Sequence, residues 1–201
     1  MTDALVIIPT YNEIENIDKI IDAVLNLGPD FSVLIIDDNS PDGTAGVVKT
    51  KMAEQWPDRL FLEERAGKLG LGTAYIHGFK WALDRGYKYI MEMDADFSHN
   101  PKDVPRLLKA CREDGADVAV GSRYIGGVNV VNWPMGRVLM SFYASAYVRI
   151  VTGMKLRDTT AGFVCYRRKV LEEIGLDEIQ FKGYAFQIEM KYRAFRKKFK
   201  I

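Results

Sequence analysis

Short apolar runs rich in β-branched residues alternate, over the first 120 residues, with segments whose apolar positions recur three or four residues apart. A short continuous apolar run is typical of a strand covered on both faces, and the longer spacing is typical of an amphipathic helix. Five strands are predicted in this way, at Ala4–Pro9, Ser32–Asp37, Leu60–Glu64, Tyr87–Asp94 and Ala116–Gly121. The strict alternation predicts an α/β fold, with a doubly wound, mostly parallel sheet and flanking helices.

Helical patterns fill the intervals between these strands. Four helices are predicted there, at Ile14–Leu27, from Thr44 onward, at Thr73–Arg85 and at Pro101–Glu113. After Gly121 the pattern changes to a loop rich in Gly and Asn (Gly126–Asn132), a long apolar helix (Met135–Val151) and two more helical segments. Because no linker or internal repeat separates the two parts, residues 1–201 are predicted to form a single domain.

Composition and charge narrow the class of protein. Hydrophobic residues make up 48% of the chain, which argues against disorder. The 28 basic and 27 acidic side chains give a net charge of +1, so no nucleic-acid partner is expected. The charge is uneven, because Lys191–Ile201 holds six basic residues and no acidic one. An anionic surface would suit that tail, but the sequence favours the simpler interpretation of a solvated helix end whose cations suit the helix dipole.

Three features bear on the cellular location. Cys111 and Cys165 have neither the number nor the spacing of a disulfide framework or a metal site, which favours reduced thiols. The N-terminal segment has an acidic residue before its apolar run, unlike a signal peptide. No apolar run approaches the roughly 20 residues of a spanning helix. We therefore expect a cytoplasmic protein, peripheral to the cytoplasmic face of the membrane.

Polar residues collect at the carboxyl ends of the predicted strands, where doubly wound sheets bind their ligands. Asp94 and Asp96 end the fourth strand, and residues i and i+2 of extended backbone share a face. Two carboxylates on one face suit Mg²⁺ or Mn²⁺, which complete their shells with substrate phosphates. The alternative is that one acid caps the following turn and the other is solvated. The position beside other polar strand ends favours the metal site.

The remaining polar positions at these ends each have two interpretations. Tyr11 offers a stacking surface for a base, and Glu13 a hydrogen-bond acceptor, although an acid in the first turn of a helix also suits the dipole. Asp37 and Asp38 also follow a strand and point to opposite faces, so at most one of them contacts a ligand directly. The loop from Asp38 to Asp42 is also rich in turn formers, and both interpretations can hold together. Lys68 lies in a Gly-rich turn that could receive a phosphate on backbone N–H groups, or could simply be solvated. His99 either lines the site or faces solvent.

Six segments in order, PTYNE, DDNSPDGT, KLGLGTAY, MDADFSHNP, GSRY and DTTAGF, resemble the family 2 glycosyltransferases of the GT-A fold. Within that family the chain most resembles the polyprenol-phosphate (dolichol-phosphate) mannosyltransferases, from Val6 to about Ala194. The resemblance implies inverting, metal-dependent transfer of mannose from GDP-mannose to the phosphate of a polyprenyl phosphate, with Mg or Mn as the cation. Residues 1–121 would then bind the nucleotide sugar, and residues 122–201 would form the acceptor side.

The same resemblance assigns roles to individual positions. It implies nucleotide-sugar contacts at Pro9, Tyr11, Glu13, Ile36, Asp38, Asp94 and Ala95, with Lys68 as an assisting cation. The metal falls on Asp94 and Asp96, with Ser98 at a position where many relatives have Gln. Arg123 and Arg137 match arginines near the phosphates, and Asp158 matches an acid on the acceptor side; with Asp96 they form the expected catalytic set. The family's G-Y-x-F-Q-x-E segment falls on Gly183–Glu189.

Other readings of the sequence stay open. Relatives continue with a strand and a basic loop beyond Ile201, so the chain is expected to be truncated, with acceptor binding and turnover affected more than donor binding. The stretch Trp133–Val151 is either a buried helix or a helix at the membrane interface. The donor could instead be UDP-glucose or another nucleotide sugar. The chain could also be a nucleotide-sugar-binding subunit without catalytic activity.

Overall fold

The computed structural model describes residues 2–125, 135–183 and 185–201, with the backbone but not every side chain of the helix that starts at Met135. The strands are β1 (Ala4–Thr10), β2 (Phe31–Asp37), β3 (Leu60–Glu64), β4 (Tyr89–Glu92), β5 (Val118–Val120) and β6 (Val164–Arg167). The helices are α1 (Ile17–Leu25), α2 (Thr44–Glu54), α3 (Leu71–Asp84), α4 (Val104–Arg112), α5 (Met135–Thr152), α6 (Arg168–Glu173) and α7 (Ala185–Arg196). Short 3₁₀ turns lie at Pro101–Asp103 and Leu176–Glu178.

The described strands form one sheet in the order β3-β2-β1-β4-β6-β5. The first four strands in sequence are parallel, which confirms the predicted α/β sheet. The prediction is wrong at the far edge, where β6 lies between β4 and β5 and is antiparallel to both. Sequence analysis assigned only helical segments to this part of the chain. The run Val164–Arg167 is four residues long and leads directly into α6, so its apolar pattern is too short to identify a strand.

Alternate residues of each central strand pack on opposite sides of the sheet. Ala4, Val6 and Ile8 of β1 belong to a buried cluster with α1, α2 and α4. Leu5 and Ile7 belong to a second cluster with α3, α6 and α7. Burying one Leu or Ile side chain contributes about 1.5–3 kcal/mol, so this two-sided core stabilises the sheet from both faces. It therefore gives the loops at the strand ends a rigid base.

The helix starts and the carboxyl ends of β1, β2 and β4 meet at one edge of the sheet. Helix α3 packs closely against the middle of β1 at Gly78, where a Cβ would lie 2.8 Å from Cγ2 of Ile7. Helix α1 begins at Ile17, later than predicted, because the chain first makes a turn in which the Ile17 amide donates to the Glu13 carbonyl. Glu13 therefore lies just before the first residue of α1, close to the positive end of its dipole, and the helix-dipole interpretation of this acid still applies. Within the described residues, no helix is long and apolar enough to cross a membrane.

Candidate active site

The loops after β1 and β2 are fastened to each other by side-chain hydrogen bonds. The Thr10 hydroxyl donates to Asp37 at 2.9 Å, and Ser40 donates to Asp37 from both its amide and its hydroxyl. The Asn12 amide in turn donates to the Ser40 hydroxyl at 3.0 Å. Asp37 is 1% exposed, so of the two adjacent acids it is the one that builds the turn. The adjacent acid, Asp38, is therefore the candidate for ligand binding.

Asp38 is oriented by an arginine that sequence analysis did not identify. Nε and Nη2 of Arg65 donate to the two carboxylate oxygens of Asp38 at 2.6 and 2.8 Å. Nη1 of Arg65 donates to the Thr73 hydroxyl at 2.8 Å, which links the pair to the start of α3. Arg65 follows β3 directly. Extending the strand-end criterion to β3 would have identified it.

The structure brings two further predicted residues together at this edge. The ammonium of Lys68 lies 4.6 Å from the ring centroid of Tyr11, within the range of a cation–π contact. Tyr11 is 39% exposed, as a stacking surface for a base requires. Glu13 is half-buried and accepts a hydrogen bond from Asn16 at 3.1 Å. These contacts line one side of the strand-end edge with an aromatic face, a cation and an acid.

Three predicted nucleotide contacts expose little of their side chains. Ile36 is fully buried in the α3-side cluster, and Pro9 is half-buried beside it in the register of β1 and β2. Ala95 is 4% exposed. Any contact between these positions and a ligand would therefore come from the main chain or from the edge of the side chain.

Asp94 and Asp96 lie at the end of β4, as predicted. The Tyr75 hydroxyl donates to Oδ1 of Asp94 at 3.3 Å, and the Ser98 amide donates to Oδ1 of Asp96 at 2.9 Å. Burial and the nearby charge of Asp96 raise the pKa of Asp94 to about 6. Phe97, which directly follows Asp96, takes a left-handed conformation with φ of 58°, which is strained for a bulky residue and turns the chain sharply.

This pair fits a hard divalent cation that also binds substrate phosphates. Two adjacent carboxylates repel each other, and a cation between them would relieve that repulsion. Within the described ranges there is no cluster of three or more His, Cys, Asp or Glu side chains that would form a complete protein-only metal site. Mg²⁺ and Mn²⁺ are commonly held by one or two carboxylates plus phosphate oxygens. Ser98, the third predicted ligand, is exposed and contacts Asp96 through its amide.

His99 lies behind the carboxylates. Its ring stacks on Phe163 with centroids 5.1 Å apart, and its Nδ1 lies 3.8 Å from Oδ2 of Asp94. Burial lowers the pKa of His99 to about 4, so the imidazole is neutral near pH 7. His99 therefore lines the site as a packed, uncharged ring.

Arg123 and Asp158, predicted separately, form one buried ion pair. Nε and Nη2 of Arg123 donate to the two oxygens of Asp158 at 2.7 and 2.6 Å, and the Arg123 amide donates to Oδ2 at 3.0 Å. Nη2 also donates to the Thr160 hydroxyl at 2.7 Å. Burial alone would raise the pKa of Asp158, but the hydrogen bonds from Arg123 outweigh it and hold that pKa below its ordinary value. Asp158 thus acts on the site through Arg123.

Two predicted positions lie outside what the structure describes in full. The backbone of Arg137 is part of α5, but its side chain lies outside the described residues. Tyr184, in the Gly183–Glu189 segment, lies wholly outside them.

Comparisons with known proteins bear on the family and the fold of the chain. The model of the family described as glycosyl transferase family 2 matches residues 5–175. Polyprenol monophosphomannose synthase of Mycolicibacterium smegmatis is 47% identical over 197 residues, which cover 98% of this chain and 74% of that protein.

Solved structures share the fold at low identity. Glucosyl-3-phosphoglycerate synthase of Mycobacterium tuberculosis, solved with Mn²⁺, UDP and its product, has a TM-score of 0.69 at 18% identity, covering 98% of this chain and 66% of that one. A mannosyltransferase of Pyrobaculum calidifontis, solved with GDP-Man and Mn²⁺, has a TM-score of 0.55 at 22% identity, covering 86% of this chain and 46% of that one. The chain spans about two thirds of the first structure and less than half of the second.

Proposed function

Because the chain belongs to glycosyl transferase family 2, we propose that it transfers mannose from GDP-mannose to the phosphate of a polyprenyl phosphate, with inversion at the anomeric carbon. The observation that carries this proposal is that two carboxylates, Asp94 and Asp96, lie near the guanidinium of Arg123 at the carboxyl-end edge of the sheet. Asp94 and Asp96 follow the end of β4, and the charge of Arg123 acts on Asp94. An anionic leaving group and an anionic nucleophile both need cationic groups at such a site.

The donor would bind across the ends of β1, β2 and β4. Tyr11 would stack on the base, and Asp38, held in place by Arg65, would accept its hydrogen bonds. Asp94 and Asp96 would hold Mg²⁺ or Mn²⁺ against the diphosphate. Such a cation supplies Lewis-acid stabilisation of the negative charge that develops on the departing nucleoside diphosphate.

The acceptor needs no strong general base in this reaction. A phosphate monoester has a second pKa of about 6, so it is largely dianionic at neutral pH and is itself a nucleophile. This agrees with the neutral, buried imidazole of His99. Arg123, held in one orientation by its two hydrogen bonds to Asp158, would place a fixed positive charge beside the acceptor phosphate. We assign the same task to Arg137.

The second candidate keeps the chemistry and changes the donor to a uridine nucleotide such as UDP-glucose. It is favoured by the structural similarity to a synthase that binds UDP with Mn²⁺. Titration calorimetry of GDP, GDP-mannose, UDP and UDP-glucose, each with and without Mn²⁺, separates the two. Metal-dependent binding of the guanine pair alone supports the mannosyl donor, and preference for the uracil pair supports the glucosyl donor. Binding of none of the four would contradict both candidates.

The acceptor side has a surface suited to a lipid bilayer. Exposed apolar side chains recur along α5 at helical spacing: Met140, Tyr143, Tyr147, Ile150 and Val151, which are 64–83% exposed. From residue 118 to residue 157 the chain has five basic residues and no acidic one. A helix with an apolar face and basic flanks is typical of the interface with anionic lipids. We therefore propose that α5 holds the protein on the membrane that contains its acceptor.

A further inference from the structure

A buried polar cluster lies beneath the site and takes no part in the chemistry proposed above. It consists of Glu92 on β4 with Gln187 and Lys191 on α7, which are 0%, 4% and 0% exposed (the Glu92–Lys191 cluster). Nε2 of Gln187 donates to Oε2 of Glu92 at 2.5 Å. Such a cluster is costly to bury, because each charge loses its hydration.

Lys191 uses its ammonium to hold the chain segment that carries Asp158. Nζ donates to the carbonyl of Ala161 at 2.7 Å, to the carbonyl of Gln187 at 3.0 Å and to Oε1 of Gln187 at 3.0 Å. Three donated hydrogen bonds require the protonated form, since a neutral amine has only two N–H groups. The contact with Ala161 therefore ties α7 to residues 158–163.

The cluster also touches the metal side of the site. A Cβ on Gly162 would lie 3.7 Å from Nε2 of Gln187 and 3.6 Å from Oδ2 of Asp94. Glu92 is the last residue of β4 and precedes Asp94 by two residues. The segment after Asp158 is thus packed between the cluster and the end of β4. A displacement of this segment would move Asp158, and with it Arg123.

We propose that Lys191 is a positioning residue for the acceptor side of the site. It holds the carbonyl of Ala161, and thereby keeps Asp158 where it orients Arg123 toward the acceptor phosphate. Glu92, linked through Gln187, supplies the buried negative charge that balances the ammonium. This inference rests on the proposed function for its kinetic consequence, but the positioning itself is measurable without turnover.

The simplest alternative is that the cluster only balances charge. Lys191→Met alone leaves Glu92 buried without a cation. This variant is therefore expected to destabilise the fold whether Lys191 positions residues 158–163 or only balances charge. The double variant Glu92→Gln/Lys191→Met removes both charges and still lacks the hydrogen bond to Ala161. The double variant separates the two explanations. If the cluster only balances charge, both stability and acceptor kinetics should recover relative to Lys191→Met. If Lys191 positions the segment, stability alone should recover.

The test compares both variants with the wild-type chain and with Lys51→Met. Lys51 is also buried, 4% exposed, and pairs with Asp18 and Asp22 on the opposite face of the sheet, so it controls for the loss of any buried lysine. In the double variant we expect a melting temperature near that of the wild type and nucleotide affinity within twofold. The ratio kcat/KM for polyprenyl phosphate is expected to fall at least tenfold. In Lys51→Met this ratio is expected to stay within twofold.

Hydrogen exchange gives a readout that does not depend on catalysis. The amides of Arg123 and Gly121 donate to Asp158 and to the carbonyl of Phe163, so their exchange reports the placement of this segment. The double variant is expected to exchange these amides at least tenfold faster than the wild type. Unchanged protection, or full recovery of acceptor kinetics, would overturn the inference. A wild-type chain that transfers no mannose would count against the proposed function, and the exchange result would still decide the positioning.

Discussion

Arg123 closes on Asp158 through two parallel hydrogen bonds of 2.7 and 2.6 Å, and the side chain of that carboxylate is fully buried. On the donor side Arg65 closes on Asp38 in the same manner, at 2.6 and 2.8 Å. Each pair is a forked, charge-assisted contact that fixes the orientation of both groups. Under the proposed function the two pairs anchor the donor and acceptor sides separately, so substitutions at each should affect different kinetic constants.

Arg123→Lys should impair the acceptor side. Lysine keeps the charge but lacks the planar fork, so it cannot make both bonds to Asp158. We expect kcat/KM for polyprenyl phosphate to fall at least tenfold and nucleotide affinity to stay within twofold. Steady-state kinetics and calorimetry measure the two quantities. Arg106→Lys, at an exposed arginine paired with Asp103, is the matched control. A selective loss of nucleotide affinity would place Arg123 on the donor side instead.

Arg65→Lys should give the opposite result. The substitution retains a cation beside Asp38 but removes the second hydrogen bond and the link to Thr73. Nucleotide affinity is expected to fall about three- to tenfold, a loss of about 0.7–1.4 kcal/mol. The kcat at saturating donor should change less than twofold. Calorimetric titration of the nucleoside diphosphate checks this, with Arg112→Lys on α4 as the control. Unchanged affinity would mean that the orientation of Asp38 does not serve the base.

The Arg123–Asp158 pair should make stability depend on pH in a defined direction. The pKa of Asp158 is lowered in the folded protein, where Arg123 and Lys191 both act on it. Its contribution is therefore fully present above the unfolded pKa of about 3.9, and is lost as pH falls through the folded pKa. Asp158→Asn should cost about 3 kcal/mol of unfolding free energy at pH 7, the lower end of the range for a broken buried pair.

Urea unfolding of wild type and Asp158→Asn at several pH values measures this dependence. The difference in unfolding free energy should be constant from pH 7 to pH 5 and should shrink below about pH 4, once the unfolded carboxyl is protonated. Asp114→Asn, at an exposed acid, is the control. A difference that is the same at every pH would contradict a charge-dependent contribution.

The elements that could be predicted from the sequence are those whose pattern of apolar and polar residues is determined by their own burial. The run Ala4–Pro9 is apolar throughout because both faces of β1 are covered, which made the strand predictable. Asp94 and Asp96 come directly after another apolar run, which placed them at a strand end. β6 was missed because its partners are β4 and β5, far away in sequence, and four residues carry no period of their own.

The site residues divide in the same way. Tyr11 and Asp38 were identified from their position after a strand. The pairing of Arg123 with Asp158 was not, because 35 residues separate them and only tertiary structure determines whether a carboxylate meets solvent or a guanidinium. Lys191 reads as part of a basic tail in sequence, yet it is fully buried. Residue type therefore indicates the chemistry available, and burial decides which group contacts the ligand.

Asp96→Asn should separate metal binding from nucleotide binding. Asparagine keeps an oxygen that can accept from the Ser98 amide, so the turn should survive while the negative charge is lost. We expect the increase in nucleotide affinity caused by Mn²⁺ to disappear, and the affinity without metal to remain within twofold. Calorimetry at a series of Mn²⁺ concentrations measures both. Asp103→Asn, seven residues along the chain, is the control. An unchanged Mn²⁺ effect would remove Asp96 from the metal site.

Ile150→Glu and Tyr147→Glu should weaken binding to anionic membranes. These side chains are 83% and 68% exposed on α5, and burying one of them in the bilayer interface would contribute about 1.5–3 kcal/mol. Each substitution is therefore expected to reduce partitioning onto vesicles of phosphatidylglycerol and phosphatidylcholine at least tenfold. Nucleotide affinity should be unchanged, because the apolar face of α5 contributes none of the proposed donor contacts. Thr50→Glu, an exposed position on α2, controls for the added negative charge. Equal loss in all three variants would mean that net charge alone governs the binding, whereas loss confined to the α5 variants would identify this helix as the membrane-facing surface.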